Sequence, residues 1–194
     1  ASHNPPEWNG FKIWLRTRFL GMGMGLEKLR DIALQGVFKP AARGKLRKNP
    51  DAIKDYERFI LDKVDIKRRF SIVVDPGNGS CSIFTPDIFE KAGMNVIAIN
   101  AEPDGSFPAH PPEPSEETLT ELRKLVVEKK ADFGVGFDGD GDRVAFVDDK
   151  GRVVPENLII LILAEEYLKK NRGAAIVYEV SCSCLLYTSD AADD

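Results

Sequence analysis

Three aspartates stand at alternate positions in the stretch "GFDGDGDR": Asp138, Asp140 and Asp142, separated by Gly139 and Gly141. In an extended segment, residues two apart project to the same side. Glycines between them remove bulk and open backbone turns closed to other residues. Three carboxylates held together repel one another unless a cation lies among them. Hard oxygen donors of this kind suit Mg²⁺ or Ca²⁺ rather than Zn²⁺. The plain alternative is an acidic surface turn, which is a costly arrangement directly after a buried strand. A second stretch stands at the start of the chain, "ASHNPPEWNGFK", where Ser2 and His3 precede a stiff Asn4-Pro5-Pro6 turn and Lys12 follows. It starts on no initiator methionine, with its serine and histidine side by side at the raw end.

Several rival motifs can be tested on the letters. An EF-hand loop starting at Asp138 needs Gly at its sixth position and Glu at its twelfth. Here those positions hold Arg143 and Asp149. The stretch "GVGFDG" matches a dinucleotide fingerprint, but such a fingerprint opens a helix, and the strand-like "RVAFV" follows. In "GMGMGL", Leu26 stands where the third glycine belongs. A better rival is an aspartate-based phosphatase of the DxDx type, with Asp138 as nucleophile and Asp140 as acid/base. That motif wants Thr or Val where this chain has Asp142. A non-catalytic module that binds a divalent cation is a third reading.

Composition narrows the classes. The 194 residues carry 27 basic and 31 acidic side chains, a net charge of −4. This provides no basic footprint for nucleic acid, and the run Arg43 to Lys48 reads as a solvated linker. The longest apolar run, Leu158 to Ala164, falls far short of the roughly 20 residues that span a bilayer. No membrane partner is expected. The cysteines, Cys81, Cys182 and Cys184, are too few and too odd for a disulfide framework and fit a reducing, cytoplasmic setting. Cys182 and Cys184 have no nearby partners to complete a zinc site.

The elements that must position these residues follow from periodicity. A short strand is expected over 10–14 and a helix ending at Gly36. A second helix is expected over 49–64, with Ile53, Tyr56, Ile60 and Val64 as its apolar stripe. The run 70–74 is too short and too apolar for anything but a buried strand, and it enters the Gly-rich turn "DPGNGS". A helix with Pro86 in its first turn ends at Gly93, and a strand follows over 95–99. The loop "EPDGSFPAHPPEP" is too rich in proline for regular structure, and its His110 reads as structural or surface. Ser115 is expected to cap a helix whose Leu119, Leu122 and Val126 share one face. Next come a strand over 131–137, a hairpin turning at Asp149 to Gly151, a helix from Pro155 to Lys170 and a strand over 174–180. This β-α-β-α-β order argues for a layered α/β domain over about 70–148. The last residues, Cys184 to Asp194, resemble a translated sequencing adaptor and are set aside as an artefact, with a short acidic tail as the alternative. With its raw start, the chain reads as an internal piece of a longer protein.

Taken together, "ASHNPPEWNGFK" and "DGDGDR" resemble the α-D-phosphohexomutases, the family of phosphomannomutase/phosphoglucomutase and phosphoglucosamine mutase. "DPGNG" at 75–79 and "DGSFPAHPPEP" at 104–114 look like further signatures of the same family. The resemblance covers essentially 1–183. It implies α/β domains of the phosphohexomutase type, one complete and two partial. Residues 1–50 would be the C-terminal part of a first domain with the phosphoserine loop, 51–149 a second domain with the metal loop, and 150–183 the start of a third. The implied activity moves a phosphoryl group between O1 and O6 of a hexose phosphate through a bisphosphorylated sugar, with hexose 1,6-bisphosphate as activator. Ser2 would be the phosphorylated serine. Ser2, Asp138, Asp140 and Asp142 would hold Mg²⁺, Arg143 would lie beside the phosphate, and Lys12 and His3 would assist proton transfer. The chemistry of these residues suits the roles. Phosphoserine carries close to two charges, arginine offers a planar fork to phosphate oxygens, and a lysine near a cation can shift toward general-base use. Which sugar is used would be decided beyond Ser183.

Overall fold

The computed structural model describes residues 7, 8, 10–39, 41–178 and 182. Its centre is a four-stranded sheet of β3 (Ser71–Asp75), β4 (Asn95–Ala98), β5 (Phe133–Phe137) and β6 (Val144–Asp148) in the order β4-β3-β5-β6. β3 pairs in parallel with both β4 and β5, while β6 runs antiparallel to β5. The expected α/β class holds, with a mixed rather than purely parallel sheet. The third-strand hairpin is modest: a turn at Asp148 to Gly151 leads back to a single bridge between Val147 and Val153.

Strand alternation divides the core between two faces. Val73 packs with Leu119, Leu122, Val126, Ala131 and Val147 under α4 (Thr120–Lys129). Gly134 and Gly136 of β5 face the same helix. A Cβ on Gly136 would lie 2.5 Å from Leu119, and one on Gly134 2.7 Å from Val126, so α4 sits directly on the strand backbone. On the other face, Ile72, Val74 and Val135 are buried. There α3 (Thr85–Lys91) covers the sheet, with α2 (Ala52–Leu61) packed on α3. Pro86 lies at the first turn of α3, as expected. The stripe of α2 does not enter the core. Ile53, Tyr56 and Val64 stay about half exposed, and the buried residue of this helix is Glu57, paired with Lys91. Tyr56, Ile60 and Val64 instead line a cavity of about 330 Å³ between α2, α3 and the sheet.

Other expectations shift. The strand over 10–14 is reduced to β1 (Trp14–Leu15), paired with β2 (Arg18–Phe19) in a two-residue ribbon. Such a ribbon buries nothing, so alternation could not fix its length. Ser115 does not cap α4. It exchanges hydrogen bonds with Thr118 in a turn that precedes the helix by one turn. The strand over 174–180 is not formed over the described residues 174–178, which have no strand beside them. α1 (Leu26–Gln35) ends at Gly36 as expected. α5 (Glu156–Lys170) follows Pro155 and buries none of its residues. Among the described residues no helix is long and apolar enough to cross a membrane.

Candidate functional site

β3 and β5 are parallel neighbours, and the chain leaves β3 for β4 on one side while β5 lies on the other. That reversal makes a crevice at the carboxyl ends of the two strands, where open α/β sheets bind ligands. Asp75 ends β3, and Asp138 directly follows β5. Both singled-out turns, "DPGNGS" and "DGDGDR", therefore meet at this edge. Ser80 donates its N–H to the Gly139 carbonyl at 3.0 Å. Gly141 has φ +75°, and a Cβ there would collide with the Cys81 sulfur, so the loop needs glycine for both conformation and space.

The three aspartates come together as their spacing suggests, with carboxylate oxygens within 4.8 Å of one another. Asp138 is fully buried, whereas Asp140 and Asp142 are exposed. One oxygen of Asp138 accepts the Arg143 N–H at 3.0 Å. The other, Oδ2, is buried without a hydrogen bond and lies 3.4 Å from Arg143 Nε. An orphaned buried carboxylate oxygen beside two further carboxylates, all hard donors, fits a divalent cation.

Lys12 reaches this cluster from 130 positions away in the chain. Its ammonium lies 3.1 Å from Asp142 and 3.8 Å from Asp140. The hydrogen bond to Lys12 holds the Asp142 carboxyl below the usual carboxylate range, and the same bond raises the lysine. This direction is opposite to that expected of a general base. Arg143 is oriented by Glu113 at 2.8 Å and lies 4.0 Å from Asp142. Lys12, Asp138, Asp140, Asp142 and Arg143 thus form one cluster. Ser2 and His3 lie outside the described residues.

Sequence reasoning gave no role to the support of this cluster. His110 is largely buried, with Nε2 3.2 Å from Asp75 Oδ2 and Nδ1 2.8 Å from the Pro111 carbonyl. The other Asp75 oxygen accepts from Gly77 N–H and from Asn100. The hydrogen bond to Asp75 raises the His110 pKa, against the opposing effect of burial. Asn78, with φ +57°, ties the turn to Asn100, Glu102 and Asp104. The signal was present in the two family-like stretches, but their spacing said nothing about which side chains would meet.

Comparison with known proteins gives the family. Residues 53–151 match the family model described as phosphoglucomutase/phosphomannomutase, alpha/beta/alpha domain II. The chain belongs to the phosphoglucomutase/phosphomannomutase family. It is 39% identical to a phosphoglucomutase/phosphomannomutase of Thermococcus kodakarensis, over 96% of this chain and 42% of that protein. It is also 35% identical to a phosphopentomutase of the same organism, over 93% of this chain and 40% of that protein. A crystal structure of a family protein from Burkholderia thailandensis superposes with a TM-score of 0.86 at 30% identity, covering 95% of this chain and 40% of that one. The chain therefore spans about two fifths of the length of the relatives it matches.

Proposed function

We propose that this chain is the phosphoserine- and cation-bearing part of a phosphohexomutase, an intramolecular phosphotransferase that exchanges hexose 1-phosphate and 6-phosphate through a bisphosphorylated sugar. The observation that carries this reading is the convergence of Lys12 and Arg143 on three carboxylates, one with an orphaned buried oxygen. Asp138, Asp140 and Asp142 would hold Mg²⁺ together with the phosphorylated Ser2. The ion supplies neutralisation of phosphate charge and polarisation of phosphorus. Arg143, steadied by Glu113, presents a guanidinium fork to a phosphate oxygen. Lys12 is held as an ammonium beside Asp142. It can neutralise an incoming phosphate, and its proton is available to the oxygen that leaves phosphorus. His3 would share in proton transfer.

The division into 1–50, 51–149, 150–183 and an adaptor-derived 184–194 belongs to the same proposal, as do hexose phosphate as substrate, hexose 1,6-bisphosphate as activator and a cytoplasmic setting. The sugar is left open. Relatives named for hexoses and for a pentose match this same portion at 39% and 35% identity, so these residues do not discriminate among sugars. A DxDx phosphatase would need Asp138 to attack phosphorus, and complete burial of that side chain counts against it. The test is to incubate a full-length protein that carries this chain with Mg²⁺ and glucose 1,6-bisphosphate and map phosphorylation by mass spectrometry. Acid-stable phosphate on Ser2 is expected. A hydroxylamine-labile phosphate on Asp138 would favour the phosphatase. No phosphorylation alongside measurable Mg²⁺ binding would favour the non-catalytic module.

A further inference from the structure

His110 stands outside the cluster, yet three consecutive residues connect it to the loop of aspartates. Its Nδ1 faces the Pro111 carbonyl at 2.8 Å. The Pro112 carbonyl accepts the Gly139 N–H at 3.2 Å. The Glu113 carboxylate accepts from Arg143 at 2.8 Å. Both ring nitrogens of His110 meet oxygens that act as acceptors. The carbonyl cannot donate, and Asp75, as an ionised carboxylate, offers Oδ2 to the ring as an acceptor only. Each nitrogen must then carry a hydrogen, which is the imidazolium. The charged groups facing the ring are Asp75 at the end of β3 and, farther off, Glu121 on α4.

We propose that His110 is a positioning residue for the cation site: as an imidazolium clamped between Asp75 and Pro111, it fixes residues 111–113, which orient Gly139 through a carbonyl and Arg143 through a carboxylate. This rests on reading the aspartate cluster as a cation site. Loss of the ring proton removes a donor from one of the two contacts. The 111–113 segment is then released, and with it the hold on Gly139 and on the Arg143 fork. Asp138, whose Oδ2 lies 3.4 Å from that same guanidinium, loses the fixed neighbour beside its buried oxygen. His110 does not belong to the group of ligand atoms that Asp138, Asp140 and Asp142 bring together, so the effect travels through backbone placement.

The test follows the intact 194-residue chain by NMR from pH 5.5 to 8.5 and measures Mn²⁺ affinity at both ends of that range. His110→Asn identifies the ring signals, since the chain has two histidines. Backbone shifts of Gly139 and Arg143 are expected to move with the His110 midpoint, which should lie above the ordinary histidine value. Mn²⁺ affinity should fall at least threefold as His110 deprotonates, although carboxylates alone would hold the ion as well or better at higher pH. His110→Ala should bind severalfold more weakly than wild type at pH 6 and lose this pH dependence. His110→Asn, which keeps a donor for the Pro111 carbonyl, should recover part of the affinity without the pH dependence. Mn²⁺ binding with Gly139 shifts unmoved through the His110 titration overturns the positioning role, and the wild-type titration decides this even if a variant fails to fold. Absence of Mn²⁺ binding at every pH overturns the cation reading itself.

Discussion

Asp138 and Asp140 lie two residues apart in one loop but in different surroundings, the first buried and the second open to solvent. The exposed member is the cleaner probe, because its loss leaves the packing intact. Asp140→Ala should lower Mg²⁺ affinity by tenfold or more, about 1.4 kcal/mol, with an unchanged circular dichroism spectrum. Calorimetric titration measures it, and equal affinity in the two proteins would remove Asp140 from the site. His110 offers a prediction in pH. Its folded pKa is raised by Asp75, so its contribution to stability is complete below the unfolded value near 6.5. That contribution is lost as pH rises through the folded value. The urea midpoint should therefore be higher at pH 6 than at pH 8.5. His110→Asn should flatten that slope and cost on the order of 3 kcal/mol at pH 6, because it strips a buried carboxylate of its partner.

At the level of elements, the close seat of α4 on β5 is the most sensitive junction. Gly136→Ala puts a methyl group against Leu119, and overpacking of this kind costs about 1–3 kcal/mol. The denaturant midpoint should fall accordingly, and a midpoint equal to wild type would mean that the helix can rise off the strand freely. Elements with a long buried face were legible in the letters. β3, β5 and the Leu119, Leu122, Val126 face of α4 were each dictated by burial on one side of a sheet. The two aspartate-bearing turns were legible as well, because alternating charge and glycine has few other uses. What escaped were contacts set by tertiary placement. The antiparallel join of β6 to β5 could not be told from a local hairpin. The stripe on α2 was real, but it borders a cavity rather than filling one. His110 and Glu113 took their roles from partners 35 and 30 positions away, and no local pattern encodes that.

For the molecule as a whole, the sheet domain carries the buried core, while large apolar side chains elsewhere remain exposed. Leu158, Ile162, Leu163 and Tyr167 on α5, with Phe11, Trp14 and Leu15 near the other end, are each exposed by 47% or more. Patches of that kind mark surfaces meant for contact. The chain by itself should bind a hydrophobic dye and show concentration-dependent association in sedimentation, and a strictly monomeric, dye-silent chain would contradict this. It should also bind the cation weakly and be inactive on hexose phosphate. Positioning can contribute about 7–11 kcal/mol of barrier lowering, and the chain spans two fifths of such a relative. A coupled assay of glucose 1-phosphate conversion tests this, with full-length rates as the refuting result.

The sulfur of Cys81 lies directly beneath Gly141, 5% exposed, and also borders the cavity between α2 and α3. Bulk added to that sulfur on the Gly141 side has no room until the aspartate loop lifts. Burial also raises the thiol pKa, which slows reaction in the closed state. The thiol is thus a built-in stopwatch for the loop. With Cys182 and Cys184 replaced by serine, its alkylation rate should equal the open fraction of the loop times the intrinsic rate. Mg²⁺ should lower the rate in proportion to the fraction of sites it fills, whereas an unchanged half-time would mean that the ion leaves the loop's motion untouched.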